Sequence, residues 1–200
     1  MEKEKIKKTV IEYASKLFAS KGIKAVKMDD ISSELNMSKR TLYELFENKE
    51  VLLYECIMRQ QRRRDKLMKE IVKEADGDLL KILVSVFKLK AEMISKINPD
   101  LYADLTGYPR LMERLERNKS EDDNKTLDFF AEGVKQGIFR DTVNYSLLME
   151  SFKEHTDTIV KTKLYSKYPM IDIFNSFTMV LIRGLVTEPA LKRFEELFLK

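Results

Sequence analysis

The chain has no tryptophan, one cysteine, one histidine, four prolines and six glycines in 200 residues. With Cys56 alone no internal disulfide can form, and with His155 as the only imidazole a zinc site of the cysteine and histidine type lacks donors, so no metal is expected. No run of about 18 apolar residues exists, and the charged start Met-Glu-Lys-Glu-Lys-Ile-Lys-Lys is not followed by the apolar stretch of a secretory leader. A cytoplasmic protein with no membrane partner is therefore expected. The signatures of common catalytic sites are also missing: no P-loop, no GxGxxG opening a helix, no GxSxG, and no cysteine and histidine that can be placed together. The expectation is a protein that is not an enzyme and needs no cofactor.

Apolar residues make up 44% of the chain and charged residues 35%, enough for a sizeable core beneath a well-solvated surface. The formal net charge of +4 is unevenly spread. Residues 1–64 hold 15 Lys and Arg against 10 Asp and Glu, whereas residues 65–200 hold 22 against 23. A positive excess confined to the first third suits an anionic partner such as DNA, but serves solubility equally well, so charge alone leaves both readings open.

Apolar residues recur at three- and four-residue spacing almost throughout, and no strand-like alternation is found, so the expected class is all-α. A first helix over about 3–20 carries Ile6, Val10, Ala14, Leu17 and Phe18 on one stripe and stops at Gly22. A second begins near Asp29, where Asp29 and Asp30 suit the positive end of the helix dipole, and ends at Asn36. Ser38 can cap a third, and Asn48 a fourth that reaches Glu74. Asp76-Gly77-Asp78 then breaks the chain. Helices are expected at about 78–97, 100–105, 109–137, 143–166, 170–186 and 189–199, with Pro109 at a helix start and turns at Asn98-Pro99 and Tyr168-Pro169.

The break at Asn36-Met37-Ser38 is the informative one, because a continuous amphipathic helix has no use for it. A DNA major groove about 12 Å wide admits one helix, which must be short, presented by its N-terminal end and braced by another packed across it. Residues 28–46 meet that requirement. Ile31 and Leu35 of the brace can pack on Leu42 and Phe46 of the reader, which leaves Lys39, Arg40, Thr41, Tyr43 and Glu44 to groove and solvent.

Residues 27–52, Lys-Met-Asp-Asp-Ile-Ser-Ser-Glu-Leu-Asn-Met-Ser-Lys-Arg-Thr-Leu-Tyr-Glu-Leu-Phe-Glu-Asn-Lys-Glu-Val-Leu, resemble the DNA-binding signature of the tetracycline-repressor (TetR) family. That signature reads Thr-x-x-x-Ile-Ala, then Gly-Val-Ser-x-x-Thr-Leu-Tyr-x-x-Phe-x-x-Lys-x-x-Leu. Ile31, Ser38, Thr41, Leu42, Tyr43, Phe46, Lys49 and Leu52 fall on its positions without a gap. The resemblance implies a helix-turn-helix DNA-binding domain over residues 1–64; taken with the helical period and the residue types, the DNA-facing residues expected are Lys27, Ser38, Lys39, Arg40, Thr41, Tyr43 and Lys49. Phosphate contacts would fall to Tyr43 and to Lys49, which stands at an exposed helix start. Four positions depart from the pattern. Lys27 replaces the usual capping threonine, so the cap must come from elsewhere and the lysine is free to approach a phosphate. Asn36 replaces the turn glycine, which asparagine tolerates. Arg40 and Glu44 stand where a small residue and an aromatic or histidine are common, and they make the DNA sequence preference this chain's own.

Beyond residue 60 the resemblance implies a larger helical domain, 65–200, that binds a small-molecule effector and pairs two chains through a four-helix bundle. The apolar residues of 143–186 suit such a bundle, and the expected interface is Leu147, Leu148, Ile159, Ile173, Phe177, Val180 and Leu181. Candidates to line an effector pocket are Phe87, Met93, Tyr102, Tyr108, Met112, Phe129, Phe130 and Phe152, with His155 as a polar anchor. The same residues at helical spacing also make ordinary core. Arg62-Arg63-Arg64 reads as a solvated helix face. The function expected is thus a transcriptional regulator, a repressor by the family's habit, which binds a palindromic operator as a homodimer and is released by an unidentified effector. The competing reading, a helical protein-interaction module, leaves the match from Ser38 to Lys49 unexplained.

Overall fold

The computed structural model describes residues 2–116 and 120–199. Its helices are α1 (Glu2–Lys21), α2 (Met28–Glu34), α3 (Lys39–Leu45), α4 (Lys49–Ala75), α5 (Leu79–Ser95), α6 (Asp100–Leu105), α7 (Pro109–Glu116), α8 (Ser120–Lys135), α9 (Tyr145–Thr162), α10 (Met170–Leu185) and α11 (Glu188–Leu199), with a 3₁₀ turn at Leu164–Ser166. The expected all-α class is what is observed. The span expected as one helix over 109–137 is described as α7 and α8, and the residues between them lie outside the described ones. Among the described residues no helix is long and apolar enough to cross a membrane.

Helix ends follow local chemistry. Gly22, just past α1, has φ +82° and donates its N–H to the Phe18 carbonyl at 3.0 Å, a left-handed stop open to a residue without Cβ. Lys163 ends α9 with φ +50°, an uncommon conformation for a side-chain-bearing residue that lets its N–H reach the carbonyls of Ile159 and Val160.

The chain divides into two compact units, Met1–Leu67 with Lys96–Leu115, and Met68–Ser95 with Glu116–Lys200. In the first unit α1 contributes Val10, Ala14 and Phe18, α2 Ile31, α3 Leu42, its C-terminal flank Phe46, α4 Leu52, Leu53 and Cys56, and α7 Leu111 and Leu115 to one core. The Cys56 thiol donates to the Ile11 carbonyl at 3.5 Å, and burial pushes its pKa up to about 11, so it packs as a small neutral group. The core of the second unit gathers Leu80, Leu83 and Val84 of α5, Phe139, Ile182 and Val186, and Phe194 of α11. Phe139 and Val186 form an isolated antiparallel bridge, flanked by bonds from the Arg140 N–H to the Leu185 carbonyl and from the Thr187 N–H to the Ile138 carbonyl, each 2.9 Å.

Candidate nucleic-acid interface

The brace helix α2 begins without a side-chain acceptor at Lys27, because an ammonium can only donate. The Asp30 carboxylate instead accepts the Lys27 N–H at 2.9 Å, and Asp29 and Asp30 together face the positive end of the helix dipole. Asn36 takes φ +50° in the turn, and the Met37 N–H donates back to the Ser32 carbonyl at 3.0 Å. The chain is thereby redirected within two residues, and α3 starts at once.

Ser38 builds that start. Its Oγ accepts the Thr41 N–H at 3.0 Å and lies 2.8 Å from the Thr41 hydroxyl, so the polar atoms of both residues already serve the helix end. At the next junction Asn48 does the same for α4, accepting the Val51 N–H at 2.9 Å. Ile31, Leu42 and Phe46 are fully buried in one cluster, with Leu35 packed against it, which locks α3 across α2.

With Leu42 and Phe46 pointing inward, the helical period turns Lys39, Arg40, Tyr43 and Glu44 outward, and all four are exposed. Tyr43 keeps 48% of its surface free. Lys39 crosses to the brace, its Nζ 2.6 Å from Asp29 Oδ2, and this bond raises the lysine pKa. Arg40 turns along its own helix, its Nε 2.8 Å from Glu44 Oε1. Lys27 is exposed. Lys49 is half-buried at the head of α4; desolvation lowers its pKa, against the opposing fields of Asp104 and Asp30.

One residue of this unit escaped the sequence reading. Asp104 of α6, only 7% exposed, accepts the Lys24 N–H at 2.7 Å and faces the Lys24 ammonium at 3.4 Å. Just before α6, Asn98 donates its N–H to the Ala19 carbonyl at 2.7 Å. Residues 96–115 therefore fasten the link between α1 and α2. Nothing local marks Asp104 for that task, because its partner lies 80 residues away.

The residues expected around an effector fall into two groups. Tyr102, Tyr108 and Met112 belong to the first unit, where Tyr108 packs against the core and burial raises the Tyr102 hydroxyl pKa. Phe87, Met93, Phe129, Phe130, Phe152 and His155 belong to the second. There Phe129 and Phe130 pack against Phe139, while His155 stacks on Phe177 at 3.5 Å between ring centres. An open cleft of about 260 Å³ in the second unit, lined by Ile71, Lys81, Val84, Lys88 and Leu197 among others, contains none of these six. Of the residues expected at a dimer interface, Leu147 and Val180 are 60% and 71% exposed, and Leu148, Phe177 and Leu181 are half-buried. Ile159 and Ile173 are buried within the protomer.

A sequence model of bacterial regulatory proteins of the tetR family matches residues 10–56, the stretch from α1 into α4. No curated protein matches the chain. Solved structures resemble it over nearly its whole length. The TetR family protein CprB from S. coelicolor is 18% identical, with 99% of this chain and 96% of that one covered at a TM-score of 0.71. A TetR family transcriptional regulator from Agrobacterium tumefaciens is 14% identical, covering 92% and 100% at 0.74. A ketosteroid transcriptional regulator of Mycobacterium tuberculosis is 20% identical, covering 91% and 95% at 0.62. At these identities the structures speak for the fold.

Proposed function

The chain belongs to the tetR family of bacterial regulatory proteins through its N-terminal helices, and from that premise we propose that it is a cytoplasmic transcriptional repressor, not an enzyme, which binds a palindromic operator as a homodimer. The observation that carries the reading is the outward face of α3: Arg40 and Tyr43 stand exposed on a short helix that Ile31, Leu42 and Phe46 hold against its brace.

In this reading the tip of α3 enters the major groove. Lys39 and Arg40 reach base edges or backbone, while Tyr43, Lys49 and Lys27 neutralise or hydrogen-bond phosphates. Ser38 and Thr41 act mainly by shaping the helix start, since their hydroxyls already bond each other. Two copies of α3 would sit about 34 Å apart, one duplex turn. The remaining helices bind a small-molecule effector and pair the chains. Effector binding shifts α4 and changes the spacing of the two readers, a coupling of roughly 1–3 kcal/mol. The fold shared with a ketosteroid transcriptional regulator supports a small-molecule effector of no particular class.

Titration of a duplex by fluorescence anisotropy at several salt concentrations tests the assignment. Tyr43→Ala and Lys49→Ala each weaken binding to every sequence, and Lys49→Ala lowers the salt slope by about 1. Wild-type affinity and slope in both variants would remove α3 and the head of α4 from the DNA surface.

A further inference from the structure

On the outward face of α3 one acid stands among the cations. Glu44 lies one turn beyond Arg40, and its Oε1 takes the Arg40 Nε–H at 2.8 Å. The two side chains are 58% and 89% exposed. An exposed pair at this spacing stabilises a helix only marginally, and α3 is already held by its cap and its buried leucine. A carboxylate on the face offered to a polyanion also repels it. Glu44 therefore contributes little to folding and opposes general DNA affinity.

Its geometry suits a different task. With Nε occupied, the N–H bonds of the two terminal nitrogens remain free, and the bond favours one orientation of the guanidinium relative to the helix. Guanine offers O6 and N7 as two acceptors in one plane at the major-groove edge, which a guanidinium so oriented can meet with two donors at once. When docking expels water the Arg40 and Glu44 charges interact more strongly, so the brace tightens in the bound state. Lys39 gives the contrast: its partner Asp29 belongs to α2, and an ammonium has no plane to orient.

Resting on the DNA-reading assignment above, we infer that Glu44 is a specificity-determining positioning residue, which holds Arg40 for a guanine and by its charge penalises DNA lacking that guanine. Selection from a pool of random 30-base-pair duplexes, with full-length protein, tests it. Wild type enriches a guanine at one step of each half-site, and Arg40→Ala loses that preference. Glu44→Ala, which removes both the acceptor of the Arg40 Nε–H and the charge, also loses it, from about tenfold or more to near none, while binding unselected duplex more tightly. Glu47→Gln, which removes an exposed charge beyond α3 without touching Arg40, keeps the preference. The inference is overturned if Glu44→Ala retains the guanine, if Arg40→Ala retains it, or if Glu47→Gln loses it too. Failure of wild type to enrich any sequence is a separate result, which takes down the DNA-reading assignment and this inference with it.

Discussion

Asp104 shows how much one side chain can carry when it is buried and fully used. Its carboxylate serves the Lys24 backbone and ammonium together from a site that is 7% exposed. Asp104→Ala removes the acceptor and leaves the Lys24 N–H without it, at a cost of about 1–3 kcal/mol. For a chain of this size that lowers Tm by about 2–4 °C for each kcal/mol. Asp104→Asn keeps an acceptor oxygen and retains most of the stability. Melting followed by circular dichroism separates the cases, and an alanine variant that melts with wild type would show the contact to be incidental.

Among the helices, the elements whose ends depend on neighbours in sequence were readable. Ser38 and Asn48 cap α3 and α4 through N–H groups three residues on, and Asn36 makes its turn by its own backbone preference. The helix face that Arg40 and Tyr43 share follows from the period alone. What could not be read is what distant chain supplies: the return of residues 96–115 to the first unit, the Asp104 contact, and the pairing of Phe139 with Val186. The internal pairs of Lys39 and Arg40 lie between. Their partners are near in sequence, but pairing with Asp29 or Glu44 depends on the angle between α2 and α3 and on side-chain rotamers. Gly133 in α8 belongs to the unreadable class, since a glycine inside a helix is locally unfavourable by about 1 kcal/mol relative to alanine. A Cβ there would stand 2.1 Å from Phe139 Cδ2, on a ring that is 1% exposed. Overpacking of such a site costs about 1–3 kcal/mol, which outweighs the gain in helix propensity. Gly133→Ala should therefore destabilise the protein by up to about 2 kcal/mol in urea unfolding; a gain in stability would mean that the Phe139 ring moves aside freely.

At the scale of the whole molecule the question is what covers α10. Val180 is 71% exposed, and Gly184, one turn on, has nothing within 4 Å of where a Cβ would lie. Half-buried Phe177 and Leu181 flank them, so an apolar strip runs along the helix with a shallow place at the glycine for an approaching helix. Ile159 and Ile173 are already used inside the protomer, so the surface proposed for a second copy narrows to Val180, Leu181, Phe177, Leu147 and Leu148. An isologous contact presents each residue twice, so in such a dimer Val180→Glu would bury two carboxylates in the interface. Because Val180 makes little contact within its own chain, helix content should remain at the wild-type level. The association constant should fall by about 100-fold or more, on the order of 3 kcal/mol for charges left unpaired in an apolar interface. Sedimentation should find wild type dimeric and the variant monomeric at micromolar concentration. Binding to a duplex with two half-sites should weaken with it, since one reader then lacks the second as its anchor. A wild type that sediments as a monomer, or a Val180→Glu protein that remains a dimer of undiminished affinity, would refute this surface and with it the coupling between two readers.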